Sequence, residues 1–242
     1  MPDQLDEPLG RVYVEGDPEM PSEFRELLTR MLSNHMENST NPHYTELLNK
    51  LWVRGMTLIP DEKLKITYAR LMQQEVEHGV ITAHILAGLG VGPIDREIKQ
   101  YMFHLPLDTY CDLAYFNALG DRVGCYIGET WDGVPYEPLL SVADRLHKDE
   151  VFHAMFGMNN LKRLCATPEG LAEASEKIHV WWPAVLDMFG RSDSAFSDRY
   201  VRWNLRKKNN EGLRQQYIAD TRPMLARLGI QVPDDTANRR FL

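Results

Sequence analysis

Two Glu-x-x-His motifs, Glu75/His78 in QEVEHG and Glu150/His153 in KDEVFH, are the residues of this chain best suited to hold a metal. Residues three apart on a helix share a face, so each motif presents a carboxylate and an imidazole to one ion. A single match is weak, and taken alone it reads better as a solvated helix face. Two matches on separate long helices are more informative. Carboxylate-bridged dinuclear bundles place a Glu-x-x-His on each of two helices and a single inward carboxylate on each of the other two.

Two further acids suit the missing positions. Asp121 lies in ALGDRVGCYIG, among small and apolar residues, and Glu46 lies in HYTELLNKLW, flanked by Leu47, Leu48 and Leu51. An unpaired carboxylate is expensive in such surroundings and normally neutralises or finds a cation. The expected ligand set is therefore Glu46, Glu75, His78, Asp121, Glu150 and His153. Glu37 in NHMENS is the competing assignment on the first helix, ranked lower because it adjoins the polar NSTNP break. Four carboxylates carry −4 and offset two Fe(II) ions. Mixed imidazole and carboxylate ligation suits iron or manganese, and no cysteine joins the set as zinc or a soft metal would favour. The other histidines, His35, His43, His84, His104, His147 and His179, read as structural or surface residues.

Gly124, Cys125 and Gly128 follow Asp121 at spacings of three, four and seven, on its face of the helix. A glycine inside a helix costs about 1 kcal/mol relative to alanine. Either the missing volume leaves room for oxygen and a substrate, or it allows close helix packing.

Helical periodicity supplies the elements that position these groups. Phe24, Leu27, Leu28, Met31 and Leu32 form one stripe, and the pattern resumes after NSTNP through Leu47, Leu48, Leu51 and Trp52. Further helices are expected from Pro60-Asp61 to Gly88–Gly90, over 108–129 and over 137–164, with Asp61 an N-cap. Beyond Thr167-Pro168, helices are expected near 170–189, 195–208 and 210–228. Gly88, Gly90 and Gly92 in AGLGVGP follow a helix and read as its C-terminus, not as a phosphate loop. No series of alternating strands is evident. The expected architecture is all-α: an extended arm over 1–20, a ferritin-like four-helix bundle over 21–166, and a C-terminal helical extension over 167–242 packed on it.

The bulk properties are consistent with that. The 242 residues carry a net charge of −8 with 43% hydrophobic content, a poor match for nucleic acid or an anionic membrane. Three cysteines without C-x-x-C spacing read as reduced thiols, and neither a signal peptide nor a membrane span is evident, so a cytoplasmic protein is expected.

Four stretches resemble the catalytic subunit of the bacterial ring-1,2-phenylacetyl-CoA epoxidase family, ferritin-like multicomponent monooxygenases. QQEVEHGV and KDEVFHAMFG are similar to that family's two ligand helices. HVWWPAVLDMFGRSD is similar to its Trp-rich helix, and NNEGLRQQYIADTRPMLARLGIQVPD to its C-terminal helix. The resemblance runs from about Phe24 to Asp235. It implies an oxidoreductase with two iron ions and O2 as co-substrate, acting on a small aromatic or acyl substrate such as an acyl-CoA. It also implies a separate reductase as electron donor, and a homo-oligomer or a complex with a related ferritin-like subunit. Where that family carries a lysine one turn before the first motif, this chain has Leu71. The alternative is a non-enzymatic ferritin-like iron-binding or partner subunit. The basic run Arg199, Arg202, Arg206, Lys207, Lys208 and Arg214 reads either as a CoA phosphate contact or as a solvated face. Trp181 and Trp182 read as core or interface anchors.

Overall fold

Six of the helices start where a polar side chain satisfies free N–H groups of the first turn. Asn41, Asp61, Thr109, Thr167, Ser194 and Asn209 all cap first turns, Asp61 by accepting from the Leu64 N–H at 2.9 Å. In the computed structural model, which describes residues 10–34 and 37–240, the resulting helices are α1 (Ser22–Asn34), α2 (Pro42–Leu58), α3 (Glu62–Gly88), α4 (Tyr110–Tyr115), α5 (Arg122–Thr130), α6 (Glu137–Leu164), α7 (Pro168–Leu186), α8 (Ala195–Arg202) and α9 (Asn210–Ala226). The start of the expected arm, His35 and the last two residues lie outside the described residues. Among the described residues there is no strand, only an isolated bridge between Tyr13 and Tyr136. No helix there is long and apolar enough to cross a membrane.

The AGLGVGP stretch does close a helix: Gly90 takes φ +80°, and the Val91 N–H returns to the Leu86 carbonyl at 2.9 Å. The helix expected over 108–129 is interrupted. Between α4 and α5, Phe116–Asp121 is π-helical, a wider turn that periodicity does not reveal.

α2, α3, α6 and the α4–α5 rod pack as neighbours in a ring, with α7 against α4, α9 against α5 and α8 against α1. This is an all-α, ferritin-like four-helix bundle with a C-terminal helical extension. One core joins the bundle to the tail through buried Tyr115, Trp181, Trp182 and Tyr217. Their polar ends are bonded: the Trp181 indole donates to Asp112 at 3.2 Å and the Tyr217 hydroxyl to the Leu119 carbonyl at 3.0 Å. A second core joins α1, the end of α3, the start of α6 and Trp203 and Leu205 of the tail. The N-terminal segment is pinned there, the Tyr13 N–H donating to Pro135 and the Tyr13 carbonyl accepting from Glu137.

α6 packs tightly at Gly157, where a Cβ would overlap the backbone of Asn117 and Ala118 in the π-helical segment. Backbone cannot yield as a side-chain tip can. Gly157→Ala is therefore expected to destabilise the fold by about 1–3 kcal/mol, read as a lower urea midpoint with an unchanged slope.

Candidate metal centre

α3 and α6 each bring one face of their Glu-x-x-His motif to the bundle axis. His78 and His153 are fully buried, with ring centroids 5.8 Å apart. Each imidazole is held from behind by the opposite helix. His78 Nε2 lies 3.3 Å from Asp149 Oδ2, and His153 Nε2 lies 3.1 Å from Gln74 Oε1. The Gln74 amide in turn donates to Asp149, closing a relay from one imidazole to the other. Gln74 and Asp149 each directly precede a motif glutamate, which puts them within reach of the neighbouring helix's histidine.

The relay fixes both rings so that Nδ1 points at carboxylates. His78 Nδ1 lies 3.3 Å from both Glu37 Oε2 and Glu150 Oε1. His153 Nδ1 lies 3.0 Å from Glu75 Oε1 and 3.9 Å from Glu150 Oε2. Despite this proximity, neither Nδ1 has a hydrogen-bond partner among the described residues. Buried nitrogens are seldom left so, and the donor set around them is what a hard or borderline divalent cation selects. One oxygen from each of Glu37, Glu75 and Glu150, with a nitrogen of His78, lie within 4.8 Å of one another. Asp121 completes the other side, held by the Asn117 amide at 2.8 Å.

The electrostatics show why such a group needs cations. Burial and the neighbouring Glu75 raise the Asp121 carboxyl well above its ordinary range. Burial, together with the charge of Glu37, pushes Glu150 up to about 7. Burial disfavours the imidazolium of His78, yet Glu150 and Glu37 outweigh it and push its pKa up to about 12. His153 is pushed up to about 9 by Glu75, Glu150 and Asp121 against the same opposition. Each shift reflects an excess of negative charge that protons, or metal ions displacing them, offset.

Of the expected residues, the structure brings together Glu75, His78, Asp121, Glu150 and His153. Glu46 is a correction: its side chain is 64% exposed and pairs with Lys50 at 2.6 Å. Glu37 takes that place from the break between α1 and α2. The Ser39 N–H donates to the Gly79 carbonyl at 3.0 Å, beside His78, and a Cβ on Gly79 would press to 3.2 Å from that nitrogen. Asn38 shapes the turn by accepting from both the N–H and the hydroxyl of Thr40.

The proposed pocket residues also divide. Gly124 lines the cavity over the cluster, but its absent side chain makes room for Glu150, whose carboxylate a Cβ would overlap. Gly128 does not line that cavity; its Cα faces the backbone of His147, a contact of α5 on α6. Cys125 lines a separate groove with Tyr126, His147 and Asp220. The cavity itself, about 320 Å³, is lined by Glu37, Glu75, Asp121 and Glu150, by Tyr44, Tyr68 and Leu71, and by Phe196, Tyr200 and Arg206 of the tail.

Fold and site thus define a helical bundle with a carboxylate–imidazole cluster at its centre. The sequence model of the phenylacetic acid catabolic protein family matches residues 95–240, and the chain belongs to that family. It is 25% identical over 231 residues to one of the subunits of the 1,2-phenylacetyl-CoA epoxidase of Escherichia coli (strain K12), covering 89% of this chain and 71% of that protein.

Glu37→Gln is expected to weaken anaerobic Fe(II) binding measured by calorimetry, whereas Glu46→Gln leaves it unchanged. Asp149→Ala, which frees the His78 ring, is expected to lower the affinity about 10–100-fold.

Proposed function

We propose that the protein is an oxygen-dependent di-iron monooxygenase, a hydroxylase or epoxidase of a small aromatic or acyl substrate, with CoA thioesters among the candidates. The observation that carries this reading is the pair of buried Nδ1 atoms, without hydrogen-bond partners among the described residues, that face the carboxylates of Glu37, Glu75 and Glu150. Membership of a family that includes an epoxidase subunit supports the choice of oxygen chemistry over iron storage.

In this reading Glu37, Glu75, His78, Asp121, Glu150 and His153 hold two iron ions. Iron(II) in a carboxylate–imidazole site supplies electrons for the activation of O2. The chain's own contribution is positional. The Gln74–Asp149 relay locks both imidazoles with Nδ1 inward and keeps Nε2 out of play. Leu48, Leu71, Met72 and Phe103, which line the cavity, exclude water from the reacting end. Asn117 steadies Asp121 by donating one hydrogen bond, leaving the other carboxylate oxygen available as a ligand.

Re-reduction requires electrons from outside the chain, so a separate reductase is the expected partner. Assembly with further subunits, as the name of its epoxidase relative indicates for that protein, is proposed here too. A cytoplasmic location and an arrangement as bundle (21–166) plus packed extension (167–242) belong to the same reading.

Metal analysis of the purified protein is expected to give two irons per chain, and His153→Ala about one. The reduced protein, given O2 with a panel of aryl and acyl acids and their CoA thioesters, is expected to yield a product carrying one atom from 18O2. Ferric mineral without any oxygenated product would sink the oxygenase reading.

A further inference from the structure

The basic segment of the tail does not behave as one patch. Arg199 and Arg202 pair with Glu23 at 2.9 and 3.3 Å. Arg214 is enclosed, donating to the Leu186 and Gly190 carbonyls, Ser192 and Glu211. Lys207 and Lys208 are exposed. Arg206 differs from all of these. It lines the same cavity as the carboxylate cluster. Its Nη1 donates to Asn210 at 3.1 Å and its guanidinium lies 5.1 Å from the Tyr200 ring centroid. Its Nε is buried and has no hydrogen-bond partner among the described residues. No carboxylate among the described residues pairs with it.

A guanidinium carries five N–H donors and a permanent charge. Burying it without a counter-anion is costly, and one neutral amide oxygen satisfies little of it. Its planar fork suits a carboxylate or phosphate. The cavity lining therefore carries charge of both signs, the acids of the cluster and the cations Arg206 and Arg30, of which Arg30 is exposed, together with apolar residues such as Leu48, Leu51 and Phe116. A ligand with one anionic group would be oriented by that field, its charge drawn to Arg206 and its uncharged end directed to the cluster.

We propose that Arg206 binds the anionic end of the substrate, which makes the preferred substrate a small acid spanning the cavity with its uncharged end at the metal centre. This rests on the cavity being the substrate cavity of the proposed oxygenase. The anionic oxygens could belong to the carboxylate of a free acid or to a phosphate of a carrier thioester.

Calorimetry on the iron-loaded protein without O2 distinguishes these. Phenylacetate, benzoate and octanoate are compared with their neutral amides, and phenylacetyl-CoA is titrated alongside. At least one acid is expected to bind tenfold or more tighter than its amide. That preference is expected to vanish in Arg206→Met and to survive in part in Arg206→Lys. The acid–amide comparison needs only the unaltered protein, so a misfolded variant does not remove the test. Dependence on Arg206 seen with the thioester alone would assign the anion to the carrier phosphate and retain the subsite. Equal binding within every acid–amide pair, with thioester affinity unchanged in both variants, would overturn it. Iron content measured in parallel separates the two readings: acid preference in a chain that holds no iron removes the oxygenase and leaves the anion site.

Discussion

Four carboxylates crowd the space between α3, α6, the π-helical segment and the α1–α2 break, and their mutual repulsion in a poorly solvated interior is the constraint around which the bundle is arranged. Like charges at such distances cannot all persist without compensation. The two imidazoles, turned by the Gln74–Asp149 relay, provide part of it from the chain itself. Steric accommodation follows the same centre. Gly79 admits the break that carries Glu37, Gly124 clears the volume that Glu150 occupies, and Gly157 lets the π-helical segment press against α6 so that Asp121 reaches the site. Three glycines in helices, each unfavourable for propensity, are explained by one cluster.

Much of this was legible in sequence because helical ligands leave a periodic trace. Glu75, His78, Glu150 and His153 announce themselves by spacing, and Asp121 by its apolar neighbours. The fourth carboxylate left no such trace. Glu46 has the apolar flanks that suggested burial, yet the helix turns it to solvent; Leu47, Leu48 and Leu51 occupy the inner face instead. Glu37 stands in a non-helical segment, where periodicity carries no information and tertiary contacts, the clamp of Ser39 to Gly79 among them, set its direction. The π-helical turn was hidden for a related reason: it inserts into an otherwise regular pattern without altering residue types. Gln74 and Asp149 did have a signal, since polar residues directly before both motif glutamates share the same flank. Cys125 and Gly128 show the limit of face arguments, because a shared helix face runs past the site and on into packing.

The tail is not an appendage to this arrangement. Phe196, Ser197, Tyr200, Arg206 and Asn210 all line the cavity that the bundle opens over its cluster, and Trp181 and Trp182 seal the bundle from the other side. The lining of the cavity thus comes partly from the bundle and partly from the last third of the chain. Substitutions in the tail can reshape that lining while the residues of the cluster stay fixed.

The second core has a consequence for the order in which the chain assembles. Phe24 of α1 lies 5.9 Å from the Trp203 ring, Arg199 reaches Glu23, and Tyr13 is joined to the turn before α6. These contacts link residues separated by most of the chain, and such closures come late because loop entropy must be overcome first. During synthesis the apolar stripe of α1 can pack on the end of α3, but the second core is complete only when the region around Trp203 has emerged. Glu37 lies between α1 and the Ser39–Gly79 contact, so the segment that carries it is anchored on one side by α3 and on the other by the closing of this core.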